Sequence, residues 1–267
     1  MRIILTLFLT IVIFNVCRSQ EIENPLMRDE KIPNTMFYAT AGIVLGADAE
    51  NFFDIYQKEL GGIKDRFRFT AIFGAGTKIQ IFENIRLGLN AGFYEASIND
   101  GYTREVTVDE EKLTYVYDQK FKSRSIPLFI SFDYLPFMTN QFRTFTGIGG
   151  GMEYNEITWN ETLTSPDQFD IRDGGEHIND KYFWPYLRVF TGIELGFDKR
   201  NIHTILGSLV IELSYSHTFK QIKIFEDLQE EFREPPSSFF ENYSLLNGYL
   251  SLNIGLSLNF SGKTITN

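Results

Sequence analysis

The chain has 267 residues, a formal net charge of −10, 43% hydrophobic residues and one cysteine. The acidic balance argues against nucleic acid as a partner, and a lone cysteine excludes a disulfide framework or a cysteine-based metal site. Beyond the N-terminus there is no second long apolar run, which excludes a helical membrane protein but not a barrel, whose strands are only half apolar.

Met1-Arg2, the apolar run Ile3 to Val16 and then Cys17-Arg18-Ser19 read as a signal peptide over residues 1–19. The run is shorter than the roughly 18 to 20 apolar residues that a spanning helix needs. Lipidation at Cys17 fits poorly, because Val16 and Phe14 stand where a small residue and a leucine are expected. Residues 20–34 are expected to form an N-terminal segment on the periplasmic side, followed by a domain over 35–260 and a tail over 261–267.

Within that domain, period-2 alternation predicts about eight strands, near 35–46, 67–81, 85–93, 123–135, 142–154, 183–197, 204–219 and 245–260. In the second, Phe67, Phe69, Phe73, Ile79 and Ile81 share one face, opposite Arg68, Lys78 and Gln80. The third follows after a very short turn, with Leu87, Leu89 and Phe93 alternating with Arg86, Asn90 and Tyr94. Ile126, Leu128, Ile130 and Phe132 mark the fourth, whereas the fifth, FRTFTGIGGGMEYN, is too rich in glycine to fix its register. The last, YLSLNIGLSLNF, puts Leu250, Leu252, Ile254, Leu256, Leu258 and Phe260 on one side and only small polar residues on the other. That length and pattern suit the roughly 9 to 11 tilted residues that cross a bilayer.

Connections near 82–84, 135–141 and 198–203 are short, whereas those near 47–65, 98–121, 155–182 and 220–243 are long and charged. Strict alternation of short turns and long loops is the habit of outer-membrane barrels. In lipid all backbone polar groups must pair internally, so such strands can span only as a closed ring. The expected fold is therefore all-β: a closed eight-stranded antiparallel transmembrane barrel, an up-and-down meander, in the bacterial outer membrane. Aromatic residues near the strand ends would form its two interfacial girdles, with Trp159 on a loop as the one candidate carbohydrate platform.

The segments SIPLFISFDY, FTGIGGGMEYN and LNGYLSLNIGLSLNF resemble the small outer-membrane β-barrel group, OmpX-like in architecture and PorT-like in texture. The closing strand also resembles the C-terminal signal read by barrel-insertion machinery, with Tyr249, Leu256, Leu258 and Phe260 carrying it. Its departure is the tail after Phe260. The resemblance implies an architecture and brings no catalytic motif.

With apolar faces to lipid, Arg68, Lys78, Arg86, Arg143 and Arg188 would enter the lumen with Asp133, Glu153, Glu194 and Glu212. Near balance of charge favours an ion-paired plug over a selective pore, which tends to show one sign. Acidic residues crowd the loops, among them Asp167, Asp170, Asp173 and Glu176, but their spacing is not that of an EF-hand. Ser216 and His217 are adjacent on a strand and must face opposite ways, so they make no nucleophile and base pair. The expectation is a non-enzymatic barrel without cofactor or metal, acting through long extracellular loops in adhesion, surface interaction or envelope integrity. An accessory role in protein secretion and a lipid A-modifying enzyme are the alternatives. Expected partners are outer-membrane lipid and lipopolysaccharide, the insertion machinery, and an extracellular or secretion-system protein.

Overall fold

The computed structural model describes residues 35–260 except 48, 83, 109–110, 140–141, 166–174, 198–205, 221, 224, 232–234 and 242–244. The predicted signal peptide, the 20–34 segment and the tail lie outside the described residues, as do Asp167, Asp170 and Asp173.

Eight antiparallel strands follow one another: β1 (Thr35–Ala47), β2 (Ile72–Phe82), β3 (Ile85–Val108), β4 (Glu111–Met138), β5 (Phe142–Ser165), β6 (Gly175–Gly196), β7 (Leu206–Thr218) and β8 (Gly248–Phe260). Each pairs with its sequence neighbours, and β8 returns to β1 from Thr35↔Phe260 to Ala47↔Tyr249, with one bulge between Val44 and Gly46. This last pairing closes the barrel and leaves no edge around the ring.

The alternation has the expected sense along the lower part of the wall, next to the short turns. On β4, Leu128, Ile130 and Phe132 are more than half exposed on the outside, while Phe129, Ser131 and Asp133 are buried inside. Equivalent outward residues on the other strands, such as Leu89, Ile148, Leu187 and Leu256, complete an apolar band. Three inward glycines settle the register of β5 against its neighbours. A Cβ at Gly147 or Gly149 would meet the rings of Phe190 and Phe129 at 2.5 and 2.7 Å, so the glycines make room for aromatic side chains in the lumen.

Beyond this band the predictions need correction. The stretches 98–121 and 155–182, expected as loops, are mostly strand: β3 and β4 pair continuously to Val108↔Glu111, and β5 and β6 to Glu161↔Gly175. They remain regular because the alternation persists with inverted sense. On β4, outward Arg124, Lys122 and Lys120 oppose inward, buried Phe121, Tyr117 and Tyr115. Charge outside and apolar bulk inside is the arrangement of a wall that meets water.

The 47–65 connection contains a helix, α1 (Glu50–Lys58), whose Phe52, Ile55 and Tyr56 recur at helical spacing and are all buried. With 3-10 turns at Glu226–Glu231 and Ser237–Phe240, it lies over the mouth of the extended wall. Phe52 packs against Phe121 at 4.7 Å and Phe225 at 5.8 Å between ring centroids. Trp159, Ile157, Ile178, Phe239 and Leu246 belong to the same core. Trp159 is therefore a core residue, 1% exposed, and not a loop platform for sugar.

The predicted 67–81 strand is broken at Thr70-Ala71, and only Arg68–Phe69 pairs with β3 before it. The break reverses the phase: Phe67 and Phe69 turn into the aromatic core while Phe73 stays outside. Arg68, expected in the lumen, is consequently exposed on the outer wall.

Candidate functional site

Within the apolar band the interior is a file of charged and hydroxyl side chains. Nearest the short turns, Glu194 on β6 accepts from Arg86 at 3.0 Å and Arg143 at 3.2 Å. It also accepts from the Ser208 hydroxyl at 2.9 Å and the Asn259 amide at 3.3 Å. Asp133 on β4 takes Lys78 at 2.5 Å and lies 3.4 Å from Arg86. Five strands thus meet in one cluster of three cations and two carboxylates.

One layer further in, Arg188 donates to Glu212 at 2.5 Å, and Tyr38 donates to the Asn90 amide oxygen at 2.5 Å. Above them Tyr186 and Ser216 share a 2.8 Å hydrogen bond, and Lys220 reaches Glu153 at 3.3 Å, both fully buried. Isolated ions here would be costly, so the arrangement of opposite partners across the barrel is what makes the charges tolerable. Rings occupy much of the remaining space: Lys78 lies about 5 Å from the centroids of Tyr38, Phe145 and Phe190. A cavity of about 10 Å³ remains beside Arg188 and Glu212, about the size of a single water.

Of the nine charged residues expected in the lumen, the structure brings together Lys78, Arg86, Asp133, Arg143, Glu153, Arg188, Glu194 and Glu212. Arg68 stands apart for the reason given above. Lys220 was missed: it follows the end of β7, in a stretch expected as loop, and nothing in its neighbours marks it as the partner of Glu153.

Glu161 and Asp100, both buried inside the extended wall, were likewise hidden in expected loops. Asp100 accepts from the Tyr56 hydroxyl at 3.1 Å and from the backbone N–H groups of Ile63 and Lys64 at 2.8 and 3.0 Å, tying the segment after α1 to β3. Burial pushes the Glu161 carboxyl up to about 8, against the opposing hydrogen bond donated by Gln119 at 2.6 Å. Partial burial also works against ionisation of Glu95 on the outer wall. There, hydrogen bonds and charge from Arg124 and Lys122 prevail and hold the carboxyl below its usual range.

The four residues of the candidate insertion signal do not share a face. Leu256, Leu258 and Phe260 point outward, 60%, 50% and 37% exposed, whereas Tyr249 is buried inside with its ring 4.7 Å from Tyr94. Several aromatics expected in the girdles are also internal, among them Tyr38, Tyr94, Trp184 and Tyr186. Outward pairs remain at both ends of the band, Phe37 with Phe260 and Tyr154 with Phe183. Ser216 is inward and His217 outward, where its ring packs on Phe219 at 4.7 Å. Among the described residues no group of three His, Cys, Asp or Glu side chains is placed to hold a metal ion.

No family model matches the chain, and no curated protein matches it. Solved structures do. The N-terminal β-barrel domain of Pseudomonas aeruginosa OprF is 11% identical, with a TM-score of 0.35, 85% of this chain covered and 98% of that one. The outer membrane protein OprG of the same species is 13% identical, with a TM-score of 0.35 and coverage of 87% and 98%. Ail, the attachment invasion locus protein of Yersinia pestis, is 11% identical, with a TM-score of 0.33 and coverage of 86% and 99%. The closure of the barrel rests on its own strand pairing and not on these likenesses.

Proposed function

We propose that the chain is a non-enzymatic integral barrel of the bacterial outer membrane, with a plugged lumen, that acts through its long-hairpin end in surface interaction. The observation that carries this reading is the inversion of the wall. An outward apolar band around a paired, charged interior suits a lipid surround, and it gives way to an outward charged wall around an aromatic core, which suits water. An interior that pairs five cations with four carboxylates in three groups supports a plug over a selective channel.

What projects is a stiff structure. From Glu95 to Val108, β3 runs about 40 Å at roughly 3.3 Å per residue, braced by β4 and by the core beneath α1. Thr35 and Phe260 lie together at the opposite, short-turn end, which we place in the periplasm. The hairpins then face the outside of the cell.

The test joins two measurements. The refolded chain in planar bilayers is expected to show little or no conductance, and a stable, large, ion-selective current would replace the plug by a channel. In cells, deleting residues 99–118 and 160–178 while keeping the band is expected to abolish surface binding with secretion intact. Loss of secreted cargo instead would support the secretion role.

A further inference from the structure

The outward face becomes basic immediately where the wall leaves the apolar band. Ile126, Tyr154 and Phe183 are register partners on β4, β5 and β6 and form the last apolar row. The next row across β3–β6 is Glu95, Arg124, Glu156 and Lys181. Above it Arg68, Ser97 and Lys122 align, followed by Asn99 and Lys120. Followed across β3–β6, where the Lys120 row continues through Asn160 to Glu176, these rows hold five cations (Arg68, Lys120, Lys122, Arg124, Lys181) and three carboxylates (Glu95, Glu156, Glu176), a local balance of +2 on a chain whose net charge is −10.

Glu95 and Glu156 are committed within the patch. Glu95 takes Arg124 at 2.9 Å and Lys122 at 3.3 Å, and Glu156 takes Arg124 at 3.5 Å. Arg68, Lys120 and Lys181 are exposed and form no ion pair among the described residues. Between β4 and β5 lies a cleft of about 200 Å³, with Lys120, Lys122 and Arg124 on one wall and Glu156, Thr158 and Asn160 on the other, Glu156 being held by Arg124. Three cations, two neutral polar side chains and one paired carboxylate thus converge on a space open to the outside and continuous with the apolar row below.

We infer that this patch is a docking site for the phosphate groups of anionic lipid headgroups in the leaflet at the hairpin end. The inference rests on the membrane-spanning reading proposed above. The occupant follows from continuity of two chemistries: a ligand held here meets Lys120, Lys122 and Arg124 at one end and Ile126, Tyr154 and Phe183 at the other. A lipid carries an anion and apolar chains in that order and at that separation, whereas a soluble anion would leave the apolar row unused. Phosphate oxygens accept from several donors at once, which suits the convergence of lysines and an arginine.

The full chain is reconstituted in phosphatidylcholine nanodiscs, and electron paramagnetic resonance measures how strongly spin-labelled phosphatidylglycerol associates with it relative to spin-labelled phosphatidylcholine. A preference of about fivefold is expected, the factor contributed by roughly one uncompensated basic side chain at an anionic surface. It should fall to near parity in the Arg68→Gln/Lys120→Gln/Lys181→Gln variant, in which the ion pairs of Glu95 and Glu156 are untouched. Heat-modifiable migration checks that this variant folds. An equal preference in both proteins, or none in the wild type, would overturn the inference while leaving the membrane reading standing. Displacement of the labelled lipid by inorganic phosphate at the same ionic strength as a chloride control would show a site for free anions, and would also overturn it. Failure of the chain to co-elute with nanodiscs at all would remove the membrane reading and the inference with it.

Discussion

The two halves of the barrel wall use the same strands with opposite chemistry. Along β4, the stretch from Ile126 to Tyr134 puts isoleucine, leucine and phenylalanine outside and serine and aspartate inside. From Tyr115 to Arg124 it puts lysine and arginine outside and tyrosine and phenylalanine inside. Neither the strand direction nor the register changes at the boundary, although the β3–β4 ladder skips the two positions around Pro127. On the membrane reading proposed above, what changes is the surround, and with it the interaction that fills the interior: partnered charges where lipid excludes water from the outer face, aromatic packing where water supplies the outer face.

The contrast can be broken most severely from the charged half. Glu212→Ala strands Arg188 in the lumen and is expected to destabilise the folded barrel by roughly 3 to 5 kcal/mol, read from unfolding in urea with heat-modifiable migration as the probe. The double replacement Arg188→Met/Glu212→Leu should cost distinctly less. If the double variant is as unstable as the single one, the pair stabilises the barrel by itself and is not merely tolerated.

In the aromatic half, Phe52→Ala should cost about 3 kcal/mol by emptying the space between Phe67, Phe121 and Phe225. Its effect is expected to be local. Hydrogen exchange should rise in α1 and the 3-10 turns while the band residues of β8 stay protected, and a uniform rise would show that the halves unfold as one unit.

The outer face gives a matched pair of substitutions. Ile130→Arg in the band is expected to cost roughly 2 to 4 kcal/mol in lipid, whereas the reverse change of polarity on the upper wall, Asn99→Leu, should stay within about 0.5 kcal/mol. Equal effects at the two positions would mean that both regions meet the same solvent.

The last expected effect is a pH dependence confined to the upper half. The carboxyl of Glu161 is raised from 4.5 to about 8, so between those values the folded cap holds a proton that the unfolded chain has lost. Stability of the cap should therefore fall as pH rises from about 4.5 to about 8 and level off above it. Glu161→Gln should flatten the slope when cap opening is followed by hydrogen exchange at several pH values.

Most of the lower half was legible in the sequence. Period-2 alternation in YLSLNIGLSLNF and around Ile126–Phe132 located strands, and the same alternation assigned Lys78, Arg86, Asp133, Arg188 and Glu212 to the interior. The upper half is less legible because its alternation runs in the opposite sense: Lys120, Lys122 and Arg124 have the composition of loop residues although Tyr115, Tyr117 and Phe121 alternate with them as regularly as before. The helical spacing of Phe52, Ile55 and Tyr56 was also present, within a stretch too charged to attract notice.

By itself, then, the sequence determined the number of ring strands, the closing pair and which face of most band strands is apolar, the glycine-rich β5 excepted, because side-chain alternation is a local property of an extended chain. Partner choice was left to the tertiary structure. Glu153 finds Lys220 across 67 positions, and Arg86 finds Glu194 across 108, because ring closure alone brings those strands face to face. The phase of Phe67 and Phe69 was decided there too. A two-residue break at Thr70-Ala71 turns them inward, since the core under α1 offers a burial that the outer wall, facing water at that height, does not.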